Sequence, residues 1–309
     1  MPKKTAVITG GAGFLGSHLA EHLVDGGWRV RILDDLSTGR KGNLSAVIDH
    51  VEFRRGDILD DKALNKIMAG ADAVFHLAAK VSVTESFKEP ESYARVNVAG
   101  LIQVLEAARR RGVRRLIFPS SASVYGDGPS LPKKETSGLF PASPYAVTKV
   151  LGEALCRVYC EDRDLETVAL RFFNIYGPRQ DPRSPYASVI PKFIDALSRG
   201  ERPMIFGDGK QTRDFVHVDD AVKAMIMAAR RKGAAGEVIN IASGAGTPII
   251  DLFESVRAAG GWSEKPRFES ARPGEIKDSR ASIAKARRIL GFKPAVSLDD
   301  GIRRLVGDR

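Results

Sequence analysis

The chain has 309 residues, 43% hydrophobic and 28% charged, which is enough to bury a full core and typical of a globular protein. No run approaches the roughly 18 apolar residues of a membrane span, and no signal peptide precedes the first strand, so we expect a cytoplasmic protein with no membrane partner. The net charge of +10 comes from basic residues scattered over predicted helix ends without interleaved aromatic residues. We therefore predict no nucleic-acid partner. We also expect no metal site.

A short apolar segment, residues 5 to 9, predicts the first strand, and a glycine-rich turn follows it. The glycines recur as Gly10-x-x-Gly13-x-x-Gly16 and lead into a predicted helix. Such a turn needs backbone angles that glycine adopts readily, and it lets a pyrophosphate approach the backbone at the helix N-terminus. The pattern indicates a dinucleotide-binding turn.

The second apolar strand, residues 30 to 33, ends in two acids, Asp34 and Asp35. Asp34 follows the glycines by about 20 residues, where a carboxylate would accept hydrogen bonds from the adenosine ribose hydroxyls. A negative charge there would also repel the 2′-phosphate of NADP, so we predict NAD as the cofactor. The alternative is that these acids only end a strand.

Residues 51 to 54 and 73 to 76 predict the third and fourth strands. His76 ends the fourth strand, and we expect a structural role for it rather than a role as catalytic base. Asn97 is expected to open a long helix that runs to Arg111, and it is interpreted as structural too. Cys156 and Cys160 are predicted to pack on a later helix without forming a disulfide.

The candidate catalytic residues lie between residues 119 and 149. Residues 116 to 118 predict a buried strand that leads to Ser121, and residues 144 to 162 predict a helix with Tyr145 and Lys149 on one face. A free phenol has a pKa of about 10 and is a poor base at neutral pH unless a cation favours the phenolate. We predict that Lys149 is that cation, and that Ser121 and Tyr145 meet over one substrate oxygen.

The glycine turn, Ser121 and the Tyr145-x-x-x-Lys149 pair together resemble the extended short-chain dehydrogenase/reductase family, and within it the nucleotide-sugar epimerases. The resemblance covers nearly the whole chain. The residues that it implies for binding NAD are Gly10, Ala12, Gly13, Phe14, Leu15, Gly16, Asp34, Asp57, Ile58, Leu77, Ala78, Ala79, Tyr145, Lys149 and Phe172.

A sixth strand, residues 167 to 171, completes an alternation of strands and helices. This order predicts an α/β fold with a doubly wound parallel sheet, the Rossmann fold. From residue 177 onward the chain contains more proline and glycine and shorter elements. We predict an NAD-binding domain over residues 1–176 and a smaller mixed α/β nucleotide-sugar-binding domain over residues 177–309, with a soft boundary and interleaved segments.

The resemblance also implies a set of substrate-binding residues. Arginines suit a diphosphate because their planar fork donates paired hydrogen bonds. The implied contacts are Ser121 with the sugar, Asn174, Arg213 and Arg272 with the diphosphate, Val189 and Phe206 with the uracil, Glu275 with a ribose, and Ser279 in the sugar pocket. The position of Ser279 depends on an ungapped count from the Arg-x-x-acid motif, and a slip of one residue would place Asp278 or Arg280 there.

The residues after Ser121 help to choose among the reactions of this family. Related 4,6-dehydratases carry an Asp-Glu pair where this chain has Ala122 and Ser123, and related glucuronate decarboxylases carry a Glu in place of Ser123. Neither acid is present here. We therefore expect a 4-epimerase that interconverts UDP-glucose and UDP-galactose by transient oxidation at C4 and also accepts the N-acetylated sugars. The alternatives are a UDP-glucuronate 4-epimerase, a dTDP- or GDP-sugar enzyme, and an NAD-sensing regulator without turnover.

The resemblance further implies a homodimer. The helices around residues 90 to 111 and 144 to 162 are expected to form a four-helix bundle across a two-fold axis. Apolar positions compatible with this interface are Leu101, Val104, Leu105, Leu151, Leu155 and Val158.

Overall fold

A computed structural model of the chain describes residues 3–162, 164–182, 188–271 and 276–307. Within these residues, the strands are β1 (Thr5–Thr9), β2 (Arg29–Asp34), β3 (Val51–Arg55), β4 (Ala73–His76), β5 (Arg115–Ser121), β6 (Glu166–Phe172), β7 (Asn174–Tyr176), β8 (Met204–Phe206), β9 (Thr212–Arg213), β10 (Phe215–His217), β11 (Val238–Ile241), β12 (Thr247–Pro248) and β13 (Arg267–Glu269). The α-helices are α1 (Phe14–Asp25), α2 (Asp61–Ile67), α3 (Val83–Lys88), α4 (Pro90–Ala94), α5 (Gly100–Arg110), α6 (Pro144–Asp162), α7 (Val189–Ser198), α8 (Val218–Arg230), α9 (Ile249–Ala259), α10 (Ala284–Leu290) and α11 (Leu298–Gly307). None of these helices has the length and apolar character needed to cross a membrane.

Seven strands form one parallel sheet in the order β3-β2-β1-β4-β5-β6-β11. Every residue of β1 and β4 is buried, because helices cover both faces of the sheet. The strand order reverses between β1 and β4, and open sheets of this kind bind ligands at such a switch point, beyond the carboxyl ends of the strands. The prediction of a doubly wound parallel sheet is confirmed.

Two hydrophobic clusters hold the helices against the sheet. One cluster packs α1 and α8 on one face, with Leu19, Leu23 and Met225 among its buried residues. The other packs α2, α5 and α6 on the opposite face, with Leu64 and Leu105 among its buried residues. The catalytic helix predicted at residues 144 to 162 is therefore anchored on the sheet along its length, as α6.

The segments after residue 177 contribute to both parts of the fold. β11 pairs with β6 in the main sheet, and α8 packs beside α1. Three further strands of this part pair with short strands, β10 with β7 (which precedes residue 177), β12 with β9 and β13 with β8, and a third cluster includes Phe193, Phe253 and Ile302. The boundary near residue 176 stays a prediction.

The long helix does not begin at Asn97 as predicted, and its start agrees with the bounds around residues 90 to 111 expected for the bundle. The chain becomes helical at Pro90, whose ring suits the first turn of a helix, and continues through a π-helical turn, Arg95–Ala99, into α5. Asn97 lies inside this helical stretch and does not cap its N-terminus. Its amide donates to the backbone oxygen of Lys80 at 2.9 Å and to the hydroxyl of Thr148 at 3.1 Å, so it ties the helix to α6.

Candidate active site

The turn between β1 and α1 leaves no room for side chains at two of its glycines. Gly10 has a φ of +71°, and a Cβ there would lie 2.6 Å from the backbone nitrogen of Ala78. A Cβ on Gly16 would collide with the carbonyl oxygen of Gly10. Gly13, the N-cap of α1, offers no side-chain cap, so the first N–H groups of the helix can bind an anion.

The residues around this turn include most of the predicted cofactor contacts. Ala12 is buried, while Phe14 and Leu15 are half-buried in the first turn of α1. The segment 77–79 follows β4 directly beside the turn, where the N–H of Leu77 donates to the carbonyl oxygen of Thr9 at 2.9 Å. The ends of β1 and β4 therefore bring these predicted residues together.

Asp34 braces the glycine turn from the end of β2. Its Oδ2 accepts a hydrogen bond from the N–H of Ala12, and its Oδ1 accepts one from Leu36, both at 2.8 Å. Burial raises the pKa of Asp34, while these two hydrogen bonds lower it. Because each carboxylate oxygen can accept a second hydrogen bond, Asp34 can still bind ribose hydroxyls.

Asp57 and Ile58, after β3, lie in different surroundings. Asp57 is exposed, and its Oδ1 accepts from the N–H of Leu59 at 2.9 Å. Ile58 is buried in the cluster under α5, where a Cβ on Gly100 would lie 2.5 Å from its Cδ1. A contact between Ile58 and adenine stays a prediction.

The three candidate catalytic residues meet at the carboxyl ends of the central strands. Ser121 is the last residue of β5, and its hydroxyl lies near enough to the phenol of Tyr145, in the first turn of α6, to lower the pKa of that phenol. The Nζ of Lys149 is 5.8 Å from the ring centroid of Tyr145 and donates to the carbonyl oxygen of Pro119 at 2.7 Å. The structure thus brings together a serine and a helix residue 24 positions apart, as the sequence predicts.

The electrostatics of this cluster are set by burial. Tyr145 is only 8% exposed, and burial raises its pKa, although the nearby hydroxyl of Ser121 lowers it. Burial also lowers the pKa of Lys149 to about 8, while Cys156 and Glu153 raise it. Lys149 is therefore mainly a cation at pH 7, which is the state that favours a nearby phenolate.

His76 lies close to these residues but inside the sheet. Its Nδ1 shares a hydrogen bond of 2.8 Å with the hydroxyl of Thr9, between β4 and β1. Burial, and secondarily the charge of Lys149, lower the pKa of His76 to about 3. The side chain is neutral at pH 7 and links two strands, as expected of a structural residue.

Phe172 and Asn174 continue the site onto β6 and β7. Phe172 is in register with Ser121 across the β5–β6 pair, so the two residues end neighbouring strands. The side-chain amide of Asn174 donates to the carbonyl oxygen of Asp214 at 3.1 Å, which fixes its orientation. Both residues lie at the same edge of the sheet as the catalytic cluster.

The other predicted substrate residues come from several elements. The backbone N–H of Ser279 donates to the carbonyl oxygen of Thr212 at 3.2 Å, so Ser279 runs beside β9, which carries Arg213. Val189 begins α7 and Phe206 ends β8, and both are half-buried. The remaining two, Arg272 and Glu275, lie outside the described residues.

Comparison with known proteins identifies the family. A model of the NAD dependent epimerase/dehydratase family matches residues 6–242. The chain belongs to this family. It is similar to a UDP-glucose 4-epimerase of Mycolicibacterium smegmatis, with 41% identity over 97% of this chain and 96% of that protein.

Two solved structures support this membership in the NAD-dependent epimerase/dehydratase family. One is a UDP-N-acetylglucosamine 4-epimerase from Methanobrevibacter ruminantium in complex with UDP-N-acetylmuramic acid, with a TM-score of 0.94, 38% identity and coverage of 100% of both chains. The other is a UDP-glucose 4-epimerase from Thermotoga maritima with UDP-glucose, with a TM-score of 0.93, 36% identity and coverage of 98% of this chain and 97% of that chain. Membership confirms the resemblance and NAD as the cofactor.

Three features of this family member's site were missed by the sequence analysis. The carboxylate of Asp214 accepts hydrogen bonds from backbone N–H groups of Ser243, Gly244 and Ala281, and so holds together three segments around Arg213. The second is the hydroxyl of Ser123, which is buried and has no hydrogen-bond partner among the described residues.

The third missed feature is a buried ion pair between Glu153 and Arg171, behind the catalytic residues. One signal was available in the sequence, because Glu153 follows Lys149 by four residues and thus shares its helix face. The arginine partner comes from a different strand, and no spacing rule connects the two.

Proposed function

We propose that the chain is a UDP-sugar 4-epimerase that interconverts UDP-glucose and UDP-galactose. One observation carries this proposal: Ser121 and Tyr145 lie together beside the Lys149 cation, and the residues after Ser121 are Ala122 and Ser123 rather than acids. A dehydratase or decarboxylase of this family would need a carboxyl group there to move protons. An epimerase needs none at that position.

The chain's residues fit NAD. The glycines let the turn pack closely against the end of β4, where side chains would collide with the backbone, and the N-terminus of α1 offers uncapped N–H groups that can bind a pyrophosphate. Asp34 offers acceptors for the adenosine ribose and repels a 2′-phosphate. Bound NAD would supply the acceptor and donor of the hydride at the sugar C4 and a positive ring that adds charge near Tyr145.

Tyr145 is the proposed general base of this reaction. It takes the proton from the C4 hydroxyl, and Ser121 holds the same oxygen by a hydrogen bond. Because burial raises the pKa of Tyr145, the phenolate needs positive charge nearby. Lys149 supplies that charge while it stays protonated, below a pH of about 8.

Inversion requires the oxidised sugar to present its other face while the nucleotide stays in place. Asn174 and Arg213 are proposed to anchor the diphosphate, with Arg272 as a third contact. The fixed amide of Asn174 and the short strand that carries Arg213 support this role. Val189 and Phe206 are proposed to border the uracil, Glu275 to bind a ribose, and Ser279 to line the sugar pocket.

We also propose that the protein is a homodimer built on α6. Of the apolar residues expected at the interface, Leu101, Val104 and Leu105 are fully buried within the protomer, so their assignment is wrong. They face the chain's own sheet, because α5 must cover it. Leu155 is partly buried against the same cluster.

The surface available for a partner is a stripe on α6. Val147, Leu151 and Val158 are 42% to 46% exposed, and Ile102 on α5 is 36% exposed. With the exposed Ala154, the α6 positions are spaced by four, three and four residues, which is the spacing of a seam between packed helices. A second copy of α6 is the proposed occupant.

A cytoplasmic location belongs to this proposal as well. Cys156 and Cys160 are both free thiols, one buried and one half-buried. Reduced thiols suit a compartment in which glutathione and thioredoxin keep cysteines reduced.

The proposal is tested with purified protein, NAD and a panel of nucleotide sugars: UDP-glucose, UDP-N-acetylglucosamine, UDP-glucuronate and dTDP-glucose. Products are identified by NMR. Formation of UDP-galactose by the parent but not by Tyr145→Phe supports the proposal. Loss of a carboxyl carbon, accumulation of a 4-keto-6-deoxy sugar, or NAD binding without conversion of any sugar would each contradict it.

A further inference from the structure

A buried ion pair lies directly behind the candidate catalytic residues. Glu153 is on α6, one helical turn after Lys149, and Arg171 is on β6, next to Phe172. The guanidinium donates two parallel hydrogen bonds to the carboxylate, Nε to Oε1 at 2.8 Å and Nη2 to Oε2 at 2.7 Å. The side chains are 7% and 5% exposed, so the pair is shielded from solvent.

The same carboxylate also reaches the strand that ends in Ser121. The hydroxyl of Ser120 donates to Oε1 of Glu153 at 2.5 Å. Glu153 therefore contacts β5 and β6 at once, each at the residue beside a candidate site residue. This contact connects the position of the Glu153 carboxylate to the spacing between the end of β5 and α6.

The network extends beyond the ion pair to a third strand. The Nη1 of Arg171 donates to the hydroxyl of Tyr125 at 2.8 Å, and this hydroxyl donates to Oδ1 of Asn240 on β11 at 2.7 Å. Arg171 is thus held from both sides, and the carboxylate it binds has little freedom to move.

We propose that Glu153 is a positioning residue: through Ser120 its carboxylate holds the end of β5 against α6, and its charge compensates the two cations beside it, Lys149 and Arg171. This inference rests on the proposed function. Ser121 and Tyr145 lie on different elements and must hold a single oxygen, and a misplacement of about 1 Å can cost about 100-fold in rate. The hydrogen bonds from Ser120 and Lys149 fix that spacing.

The charge of Glu153 matters because it faces Lys149. The titratable groups around Lys149 are Tyr145, Glu153 and Cys156 on α6 and His76 on β4. The neutral groups from β5 are the carbonyl oxygen of Pro119 and the ring of Phe118. Of these, Glu153 is the carboxylate, and it opposes the loss of the proton from Lys149 that burial favours.

The chain contains a comparison pair at the other end of the same two strands. Arg115, at the start of β5, donates to Glu166, at the start of β6, with Nε and Nη2 at 2.9 and 2.6 Å. Arg115 is fully buried, whereas the side chain of Glu166 is 41% exposed. This pair also joins β5 to β6, but it lies at the amino ends of these strands, whereas Ser121 lies at the carboxyl end of β5.

The experiment compares Glu153→Gln, Ser120→Ala and the control Glu166→Gln with the parent. In Glu153→Gln we expect kcat to fall about 10- to 100-fold with an unchanged KM for UDP-glucose, because the residue positions groups without touching substrate. The alkaline decline of kcat should begin at lower pH, since Lys149 loses its proton more easily. Ser120→Ala keeps the charge, so kcat should fall about three- to tenfold without a shift of the pH profile. Glu166→Gln should match the parent.

Two further measurements separate positioning from folding and from the proposed function. Replacing both partners, Glu153→Leu with Arg171→Met, removes the charges together, which often leaves stability intact, and its kcat should still fall. NMR of the labelled Lys149 side chain, assigned with Lys149→Met, follows its proton without any substrate, and the titration should move to lower pH in Glu153→Gln.

Parent-like kcat in Ser120→Ala, or in a folded double variant, would overturn the positioning role. An unchanged Lys149 titration in Glu153→Gln would overturn the charge role, even if the parent converts no nucleotide sugar. If the parent converts no nucleotide sugar but the Lys149 titration still shifts in Glu153→Gln, only the proposed function is contradicted.

Discussion

At the scale of single residues, the site places a phenol in surroundings that oppose its ionisation. Burial raises the pKa of Tyr145, while the hydroxyl of Ser121 lowers it, and the Nζ of Lys149 lies 5.8 Å from the ring centroid. Such a group serves as a base when positive charge accumulates beside it. The three residues therefore act as one unit, and losing one of them should affect the others.

The first prediction concerns Tyr145→Phe. The change removes one hydroxyl from a ring that is packed edge-on against Tyr93, so the fold and NAD binding should persist. Because a general base typically contributes about 10² to 10⁴ in rate, kcat should fall by that factor. Ser121→Ala should lose less, yet clearly. Steady-state kinetics with UDP-glucose and a thermal melt check both variants. Activity of Tyr145→Phe above a tenth of the parent's would contradict the assignment of Tyr145 as the general base.

The second prediction concerns cofactor choice. Asp34→Ala combined with Asp35→Arg should shift preference from NAD toward NADP, because the ribose acceptor and its repulsion of a phosphate are both lost. Asp34 also accepts a hydrogen bond from the N–H of Ala12, so its replacement should loosen the glycine turn. We therefore expect the affinity for NAD to fall as well. Titration of both cofactors into apoprotein measures this, with Asp35→Arg alone as control. An unchanged preference for NAD over NADP would mean that another residue binds the adenosine ribose.

The site could be predicted from sequence where its geometry is local. Tyr145 and Lys149 share a face because of the helical period, and the glycine turn follows from backbone angles that few residues adopt. The roles of Glu153 and Asp214 could not be predicted, because their partners lie on other elements and only burial makes those contacts important. Spacing along the chain carries no such information.

At the scale of elements, the bounds of the strands were predicted well. The start of one helix and the burial of helix faces were predicted less well. The apolar runs of β1 and β4 have the same bounds in the structure as in the prediction, because strands buried on both faces are nearly continuous apolar segments. Asn97 does not open the helix as predicted, because it lies inside a longer helical stretch, from which it bonds Lys80 and Thr148. Helices that could face either a sheet or a partner are likewise ambiguous in sequence.

The third prediction tests the α6 stripe. Leu151→Glu should convert the proposed dimer to a monomer, because a charge on each copy would be buried in the seam. Phe268→Glu, at an exposed apolar residue on β13, is the matched control and should leave the mass unchanged. Light scattering at micromolar concentration reports the mass. A monomeric parent, or a dimeric Leu151→Glu, would refute the arrangement.

At the scale of the whole molecule, the free energy of unfolding should depend on the proton of His76. The folded pKa is about 3 against an ordinary value of 6.5, so the unfolded state binds more protons between these values. Above pH 6.5 the neutral side chain makes its full contribution to the free energy of unfolding. As the pH falls toward 3, this contribution is lost at about 1.4 kcal/mol per pH unit.

Denaturant unfolding between pH 4 and 7 checks this fourth prediction. His76→Gln should unfold with a shallower pH dependence than the parent over that range, because glutamine does not titrate. Replacement of the exposed His50 by glutamine serves as the control and should keep the parent's slope. If the free energy of unfolding has the same pH dependence in the parent and in His76→Gln, the prediction is contradicted, because His76 would not be neutral in the folded state.

The breadth of sugar specificity depends on segments that only the complete fold brings together. Ser279 lies beside Thr212, and the carboxylate of Asp278 accepts a hydrogen bond from the hydroxyl of Thr212 at 2.8 Å. Asp278 is therefore engaged with β9, and Arg280 is exposed. The place of Ser279 in the sugar pocket stays a prediction, and it is tested by substitution.

The fifth prediction follows from the small size of Ser279. A serine leaves room for an acetamido group, so the parent should act on both UDP-glucose and UDP-N-acetylglucosamine. Ser279→Tyr should lower kcat/KM selectively for the acetylated sugar, because steric exclusion raises the barrier only for the larger substrate. Ser279→Ala keeps the space and should retain the parent's ratio between the two sugars. If tyrosine lowers both sugars equally, or neither, Ser279 does not line the pocket, and the acceptance of N-acetylated sugars must depend on another segment.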